Sequence, residues 1–561
     1  MAKARRTSAP AATALESKEP LLKRVERFLE HRALALAAAL ILLGSIRIVS
    51  TYRVFSHTSD EPAHLACGMQ WLDQHIYRYE SQHPPLTRVM AALGPYLDGA
   101  RSTGQSEMFA EGNAILYGAT GAQYDRRLAL SRAGNLPFFW LACWMVFLWG
   151  RRALGSPGAV LAVLIFTMIP TVLAHAGLAT TDMGITAWLA AAAYALVRLA
   201  EDPGPKTAAW LGVAGGLMVF SKFSALLYYP AAVALALALW FYQSRPTARE
   251  FRLLFFRRLP WLGLAALIGL VVIWAGYRFS FGKTVWTSFP LPFPELFAGI
   301  KEVADHNEKG HLSYFMGELR MNGWWAFFPV LIAVKLPIVV LGLVAIGLWR
   351  RPKPSPSAWP FWILAAIPAA ILAVSLPSNI NIGIRHILPM FPFLAVIAAA
   401  GMLWLARQSG HAAWARWTVA GALLWLCASS LAAHPDYLAY FNAFAGPEPE
   451  RIVVDSDLDW GQDIKRLGQR LRELKAPSVA FSPEILVDLR KFGFPPYYPT
   501  ALDAPYPGWN AVQMTGLKLY RMGLRMQEPD TKLWPDSVKS SERVGASILL
   551  YYNAPQAQKI R

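Results

Sequence analysis

Long apolar stretches recur along this sequence, and they restrict the fold more strongly than any other feature. A helix needs about 20 apolar residues to cross a membrane, and most of these stretches approach or exceed that length. We therefore predict about eleven membrane-spanning helices. They lie at roughly 33–51, 134–150, 157–174, 183–200, 207–220, 225–242, 259–279, 326–349, 358–376, 387–406 and 413–433.

The overall composition fits a membrane bundle that carries a polar domain. Hydrophobic residues make up 55% of the 561 residues, and the mean hydropathy of +0.31 is too high for a soluble enzyme. The net charge of +18 would suit nucleic acid. The Lys and Arg residues, however, form short clusters between the apolar stretches, as residues that orient membrane helices do. We therefore expect no nucleic-acid partner.

The basic clusters also predict the orientation of the chain. They precede the first apolar stretch and occupy every second connection after it, and the positive-inside rule makes that side cytoplasmic. Residues 1–32 are then a basic cytoplasmic segment, retained because no small-residue cleavage site follows the first stretch. An odd number of spans places residues 434–561 outside. We expect a multi-pass protein of a bacterial inner (plasma) membrane, in contact with membrane lipids.

Two of the predicted outer loops are long, at residues 52–130 and 280–325. The first contains amphipathic segments at 62–76 and 85–97, which are typical of helices that lie along a membrane surface. Together with the apolar spans, these loops form a predicted transmembrane domain at residues 33–433.

The sequence pattern of the C-terminal residues 434–561 predicts a small extracytoplasmic α/β domain. Its expected elements are a strand at 452–454, a polar loop at 455–463, a helix at 464–474 and a strand at 479–481. Asp455, Asp457 and Asp459 alternate in that loop as in a calcium-binding loop. Trp460 stands where an EF-hand requires glycine, so we reject an EF-hand.

Four charged residues stand at the predicted outer ends of the apolar stretches. Asp60 and Asp182 are carboxylates, whereas Lys222 and Arg385 are cations. Charges at a membrane boundary are costly, which favours a functional role for them. The phosphate of a lipid lies at this depth and would bind beside the two cations, while a carboxylate would accept a proton from an attacking hydroxyl. The set suits a reaction that needs a base and also holds an anion.

The same residues have purely structural interpretations. A carboxylate in the first turn of a helix stabilises its dipole, so Asp60, Glu61 and Asp182 could be helix-cap residues. Lys222 and Arg385 could be snorkelling cations that bind ordinary lipid phosphates.

A metal site is a separate alternative. Glu61 and His64 are three residues apart and would share one face of a helix. A divalent ion could join them with His83 or His386. Structural hydrogen bonds explain this spacing equally, and His83 before two prolines could simply decorate a turn.

Five short motifs follow one another at the predicted helix ends. They are Ser59-Asp60-Glu61-Pro62, His83-Pro84-Pro85-Leu86, Thr180-Thr181-Asp182, Ser221-Lys222-Phe223-Ser224 and Arg385-His386-Ile387-Leu388-Pro389. Their order and topology resemble the GT-C glycosyltransferases of the protein O-mannosyltransferase and aminoarabinose-transferase kind. The resemblance covers roughly residues 33–433.

This resemblance implies a GT-C fold and an inverting transfer of a sugar from a polyprenyl-phosphate donor. The acceptor would be a hydroxyl of a protein, lipid or glycan on the outer face of the membrane. By matching positions, Asp60 is the expected catalytic base, and Asp182 assists in binding the acceptor or the donor. Lys222 and Arg385 are expected to hold the lipid phosphate, with His386 nearby.

Some roles and functions stay open at this point. Glu61 and His83 are expected either to bind the acceptor or to be structural. The sequence specifies no cofactor, and a divalent metal at Glu61 and His64 stays open. The alternative functions are a transporter or flippase of lipid-linked sugars and a non-catalytic scaffold of the cell envelope. Charges buried in the middle of the membrane would favour the transporter.

Overall fold

A computed structural model describes residues 21–119, 121–350, 359–408, 412–527 and 532–554. Most of the predicted basic segment 1–32 therefore lies outside the described residues, since the first helix begins at Leu21. The described chain forms a bundle of apolar helices, joined to an α/β domain at its C-terminal end.

The helices in the described residues are α1 Leu21–Thr51, α2 Glu61–Met69, α3 Pro85–Leu97, α4 Met108–Tyr117, α5 Tyr124–Ala133, α6 Leu136–Met168, α7 Pro170–Ala176, α8 Asp182–Glu201, α9 Pro205–Val219, α10 Ala225–Ser244, α11 Ala248–Gly276, α12 Pro294–Lys309, α13 Phe327–Lys335, α14 Ile338–Trp349, α15 Trp359–Ser375, α16 Phe391–Gln408, α17 Ala413–Ala432, α18 Ile464–Glu473, α19 Met514–Gln527 and α20 Trp534–Ser537. The strands are β1 Phe281–Lys283, β2 Pro290–Pro292, β3 Ser313–Phe315, β4 Glu318–Arg320, β5 Val479–Ala480, β6 Tyr497–Tyr498, β7 Gly508–Gln513, β8 Glu542–Val544 and β9 Ile548–Asn553. A 3-10 helix, Ile384–Met390, leads directly into α16.

Every predicted apolar span is helical, which makes this a multi-pass membrane protein. In the described residues, seven helical spans are long and apolar enough to cross a membrane, and an eighth is obtained if α13 and α14 are one bent span. The chain bends by 111° between these two helices, at Pro337, which cannot donate a backbone hydrogen bond. The remaining predicted spans correspond to the second half of α6 and to the shorter helices α9 and α15.

The second half of α6 is a separate span because the chain reverses within this helix. Gly155 has a φ of 78°, which L-residues rarely adopt. A Cβ on Gly150 would lie only 2.8 Å from the Cα of Ala159, whereas residues nine apart in a straight helix are separated by about 13 Å. The two halves therefore form an antiparallel hairpin, as the separate apolar stretches predict.

The C-terminal domain contains a five-stranded mixed sheet in the order β6-β5-β7-β9-β8. β5 pairs in parallel with β6 and β7, and the other pairs are antiparallel. The expected helix and strand are present as α18 and β5. The expected strand at 452–454 is wrong, because Ile452 lies in a turn and the buried Val453 and Val454 belong to no strand.

This domain shares one hydrophobic core with the first long loop. Leu65 and Leu116 of that loop belong to the same buried cluster as Val479 and Leu550 of the domain. Burial of apolar side chains between the two parts stabilises a fixed arrangement. The domain is therefore held directly against the helices that follow α1.

Candidate active site

Asp60 lies at the start of α2, yet it is not a capping residue. It occupies the N-cap position, but its side chain makes no capping hydrogen bond. Instead, its Oδ2 accepts a hydrogen bond of 2.8 Å from the Arg385 guanidinium. The Asp60 side chain is 31% exposed and that of Arg385 is 9% exposed. The carboxylate thus faces open space on one side and a buried cation on the other.

The second predicted carboxylate and cation also pair with each other. Asp182 begins α8, and Lys222 lies in the turn that follows α9. The Lys222 ammonium donates to Asp182 Oδ1 at 2.6 Å, and both side chains are largely buried. The sequence predicted the four charged residues but not these pairings, in which each carboxylate neutralises one cation.

Several polar atoms around these pairs have no partner among the described residues. They are Asp182 Oδ2, Arg385 Nε, His175 Nδ1, Thr180 Oγ1 and Thr87 Oγ1. Buried polar atoms in folded proteins almost always have a hydrogen-bond partner, in the protein or in a bound molecule. At least one buried donor and one buried acceptor beside the ion pairs are therefore left without a partner in the described residues.

His83 and His386 lie close to the two ion pairs. His386 interacts electrostatically with Lys222, Arg385 and Asp182. The His83 ring packs edge-on against His64, with ring centroids 5.4 Å apart. The structure thus brings together all the residues that the sequence assigned to the base and the phosphate site.

His64 and His83 are also tied to a buried arginine. Arg88 donates from Nε to His64 Nδ1 at 3.0 Å and lies 3.2 Å from His83 Nδ1. Glu80 neutralises Arg88 in an ion pair. Burial and the neighbouring Arg88 hold the pKa of His64 well below its usual value, so this ring is neutral.

Glu61 is buried, and its carboxylate is fully hydrogen-bonded to the surrounding protein. Both its oxygens accept hydrogen bonds of 2.8 Å from Arg132, and its carboxylate also accepts from the backbone N–H groups of Thr58 and Ala179. Burial opposes ionisation, but Arg132 and these donors more than compensate and lower the pKa of Glu61. Glu61 therefore connects the first loop to α5 and to the segment before α8.

The open alternative of a metal at Glu61 and His64 gains no support, because both side chains have other partners. Glu61 uses both oxygens for Arg132, and His64 Nδ1 accepts from Arg88. Within the described residues, no group of three or more His, Cys, Asp or Glu side chains is arranged to hold a metal ion. The physical reason is that buried cations already satisfy these two side chains.

The loop 455–463 of the C-terminal domain forms part of the site wall, which the sequence did not reveal. The Arg385 guanidinium stacks over the Trp460 ring at 4.3 Å. The Ser59 N–H donates to the Trp460 carbonyl at 3.1 Å, and the Ile384 N–H donates to Asp457 Oδ1 at 3.2 Å. The loop therefore holds both segments that carry Asp60 and Arg385.

A glycine permits the close approach of this loop. Gly383 has a φ of 146°, and a Cβ there would lie 2.2 Å from Ser456 Oγ. The aspartates of the loop accept hydrogen bonds from different partners. Asp459, for example, accepts hydrogen bonds from Gln513 and Thr515. The unusual density of aspartates around Trp460 was the signal that could have marked this loop as part of a site.

Comparison with known proteins is consistent with this geometry. Residues 137–277 match the family model described as dolichyl-phosphate-mannose-protein mannosyltransferase. Asp182 and Lys222 lie inside the matched segment, while Asp60 and Arg385 lie outside it. No curated protein sequence matches the chain significantly.

Solved structures extend the likeness over nearly the whole chain. ArnT from Cupriavidus metallidurans bound to undecaprenyl phosphate superposes with a TM-score of 0.50 at 12% identity, covering 92% of this chain and 99% of that chain. The archaeal oligosaccharyltransferase AglB from Archaeoglobus fulgidus, in complex with an inhibitory peptide and a dolichol-phosphate, gives 0.45 at 13% identity, covering 73% of this chain and 56% of that chain. The chain therefore has the fold of ArnT, and its resemblance to the GT-C glycosyltransferases of the protein O-mannosyltransferase and aminoarabinose-transferase kind is confirmed.

Proposed function

We propose that this chain is a membrane glycosyltransferase that moves a sugar from a polyprenyl-phosphate donor to a hydroxyl acceptor. The observation that carries the proposal is the pair of buried cations, Arg385 and Lys222, beside two carboxylates and unpartnered polar atoms. Such a site suits a ligand that has both an anionic group and hydroxyls. The fold supports the same reading, because the ArnT structure that it resembles is bound to undecaprenyl phosphate.

The two cations would bind the phosphate of the donor. Arg385 has an unused Nε–H, and a planar guanidinium matches the geometry of phosphate oxygens. Lys222 adds a second positive charge, partly neutralised by Asp182. As the sugar leaves, charge grows on the departing phosphate, and these fixed cations stabilise it.

Asp60 would be the catalytic base. It is the more exposed of the two carboxylates, and only Arg385 is an ion-pair partner for it in the described residues. When the donor phosphate engages Arg385, Asp60 is free to accept the proton of the acceptor hydroxyl. The acceptor oxygen then bonds to the anomeric carbon from the opposite side, and the phosphate leaves with the electron pair of the broken bond, which inverts the configuration.

Asp182 would orient ligand hydroxyls instead of accepting the proton. Its side chain is only 1% exposed, its Oδ1 holds Lys222, and its Oδ2 is free to accept a hydrogen bond. The acceptor is a protein, lipid or glycan. The proposed orientation places the site and the C-terminal domain on the outer face, as the basic clusters predict.

The proposal can be tested with the purified full chain in lipid vesicles. We expect undecaprenyl phosphate to bind, and Arg385→Ala and Lys222→Ala each to weaken binding by at least ~10-fold, because each removes a charge-assisted contact. The exposed cations Arg320 and Lys301 provide matched controls, whose Ala variants should bind normally.

Transfer itself is tested with a panel of polyprenyl-phosphate sugars and a membrane extract as the source of acceptors. Radiolabelled sugar should move to an acceptor in the presence of the wild-type chain. Movement of the intact donor across the bilayer without transfer would instead identify a flippase. If the chain neither transfers sugar nor binds the donor, the scaffold function is the one that remains. This result and donor movement without transfer each contradict the proposal.

A further inference from the structure

Trp460, in the loop 455–463, contacts the candidate site through the flat face of its ring. The guanidinium carbon of Arg385 lies 4.3 Å from the centre of that ring. We propose that Trp460 is a positioning residue, which orients the Arg385 guanidinium for the donor phosphate and so makes phosphate binding depend on the C-terminal domain. The inference rests on the proposed function, because Arg385 is the residue that is proposed there to bind the phosphate.

The contact of Arg385 with Asp60 does not fix the guanidinium by itself. Nη1 donates to Asp60 Oδ2 at 2.8 Å, and Nε is buried without a partner in the described residues. A planar group that is held at one nitrogen can still turn about that hydrogen bond, and this rotation would carry the Nε–H away from a fixed ligand. The Trp460 ring restricts the rotation, because a guanidinium and an aromatic ring attract each other face to face.

The stack also leaves the edge of the guanidinium available to a ligand. The N–H bonds of a guanidinium point outward in its plane, so a ring on one face blocks none of them. Phosphate oxygens accept hydrogen bonds from such N–H groups side by side. An Arg385 that is held flat against Trp460 therefore presents its unpartnered Nε–H in a fixed direction, which reduces the loss of side-chain freedom when a phosphate binds.

The backbone on either side of Trp460 is held in place as well. Its N–H donates to Gln462 Oε1 at 2.7 Å, and its carbonyl accepts from the Ser59 N–H at 3.1 Å. The Gln462 amide donates in turn to the Leu458 carbonyl at 2.8 Å. A residue that is fixed by such supporting hydrogen bonds can hold a second residue in a defined orientation. The loop thus provides a rigid support for Arg385.

Burial strengthens the contact between the two side chains. Trp460 is 5% exposed and Arg385 is 8% exposed. The attraction between a cation and an aromatic face is greater where water is excluded. An aliphatic side chain at position 460 would fill part of the same space but would offer no negative face to the cation. Replacement of the ring therefore removes the attraction, and its effect on packing can be measured separately.

The experiment is a double-mutant cycle on the full chain in nanodiscs, with undecaprenyl phosphate as the probe. In the wild-type background we expect Trp460→Leu to weaken binding by about 10-fold, and Trp460→Phe, which keeps an aromatic face, by no more than about 3-fold. In the Arg385→Ala background we expect Trp460→Leu to change the affinity by less than about 2-fold, because the group that it positions is gone. If Trp460→Leu does not fold, Trp460→Met replaces it in the cycle.

Thermal unfolding of each variant separates positioning from packing. Loss of the buried indole should lower the unfolding temperature by the same amount with and without Arg385→Ala only if the ring does nothing but pack. Trp509 is the matched control, since it lies at the start of β7, four residues before Gln513, which contacts Asp459. That distance is about 13 Å along a strand, so Trp509→Leu should leave the affinity for undecaprenyl phosphate unchanged in both backgrounds.

The outcomes distinguish this inference from the proposed function. Equal weakening of binding by Trp460→Leu in both backgrounds, or unchanged binding in the wild-type background, overturns the positioning role of Trp460. If Arg385→Ala still weakens binding in that case, the phosphate site remains intact. Unchanged binding in Arg385→Ala overturns the phosphate site itself.

Discussion

Glu61 and Asp60 lie side by side at the start of α2, each paired with an arginine, and the two pairs differ in how completely they are satisfied. Glu61 receives both Arg132 donors and two backbone N–H groups, and both side chains of the pair are 1% exposed. Asp60 is 31% exposed and holds one nitrogen of Arg385, whose Nε has no partner in the described residues.

This difference indicates what each pair is for. A buried ion pair that uses all its hydrogen-bonding capacity holds segments of the fold together. A pair that is partly exposed and leaves a donor unsatisfied can exchange its partner for a ligand. We therefore expect Glu61–Arg132 to be a structural pair and Asp60–Arg385 to be the functional pair of the proposed site, although their carboxylates belong to consecutive residues.

The largest expected effect comes from breaking the structural pair. Glu61→Gln leaves the Arg132 charge buried without a counter-charge, and we expect the free energy of unfolding to fall by about 3–5 kcal/mol. Thermal or denaturant unfolding in detergent measures it. A variant that unfolds like the wild type but no longer transfers sugar would reverse the two roles.

Lys222→Met tests the Asp182–Lys222 pair, whose exposure lies between those of Glu61–Arg132 and Asp60–Arg385. The Asp182 carboxylate would remain buried without its cation, so we expect stability to fall by about 3 kcal/mol and donor affinity to fall as well. Lys301→Met, at an exposed position, is the matched control and should leave both unchanged. Loss of stability without loss of donor affinity would make Lys222 structural, like Arg132.

Acidification tests another fully satisfied contact, between the first loop and the C-terminal domain. His57 Nδ1 accepts from the Tyr124 hydroxyl at 2.8 Å, and Nε2 donates to the Leu486 carbonyl at 3.1 Å. Burial lowers the pKa of His57 to about 4, so the unfolded chain binds a proton near pH 6.5 that the folded chain does not.

The neutral His57 therefore costs the folded chain no stability above pH 6.5. The free energy of unfolding falls as the pH decreases from 6.5 towards 4. Between pH 7 and pH 5 we expect a loss of about 2 kcal/mol from His57. His57→Gln should be less stable at pH 7 but should lose correspondingly less on acidification. Unfolding at both pH values measures this, and identical losses in the two proteins would show that His57 is not the titrating group.

The sequence predicted the helices well because the length of an apolar stretch is a local property. The span boundaries near residues 182, 225 and 413 agree with the start of α8, α10 and α17. The convergence of Asp60, Asp182, Lys222 and Arg385 was likewise predictable, since topology places their helix ends on one side.

The pairings could not be predicted in the same way. Glu61 and its partner Arg132 are 71 positions apart in the sequence, and Asp60 and Arg385 are 325 positions apart. Only tertiary packing therefore determines which charged residues pair. The same applies to Trp460, whose stacking on Arg385 depends on the docking of the C-terminal domain. Asp60 and Glu61 look alike in the sequence, because the difference in their burial is determined by residues far along the chain.

The most direct test of the functional assignment is sugar transfer by Asp60→Asn, measured per folded molecule in lipid vesicles. Because Asp60 is partly exposed, we expect its loss to lower the free energy of unfolding less than the loss of the fully buried Glu61 does. Transfer should fall by about 10²–10⁴-fold while donor binding is retained, as the loss of a general base predicts. Transfer at the wild-type rate by a folded Asp60→Asn variant would contradict the assignment of Asp60 as the base.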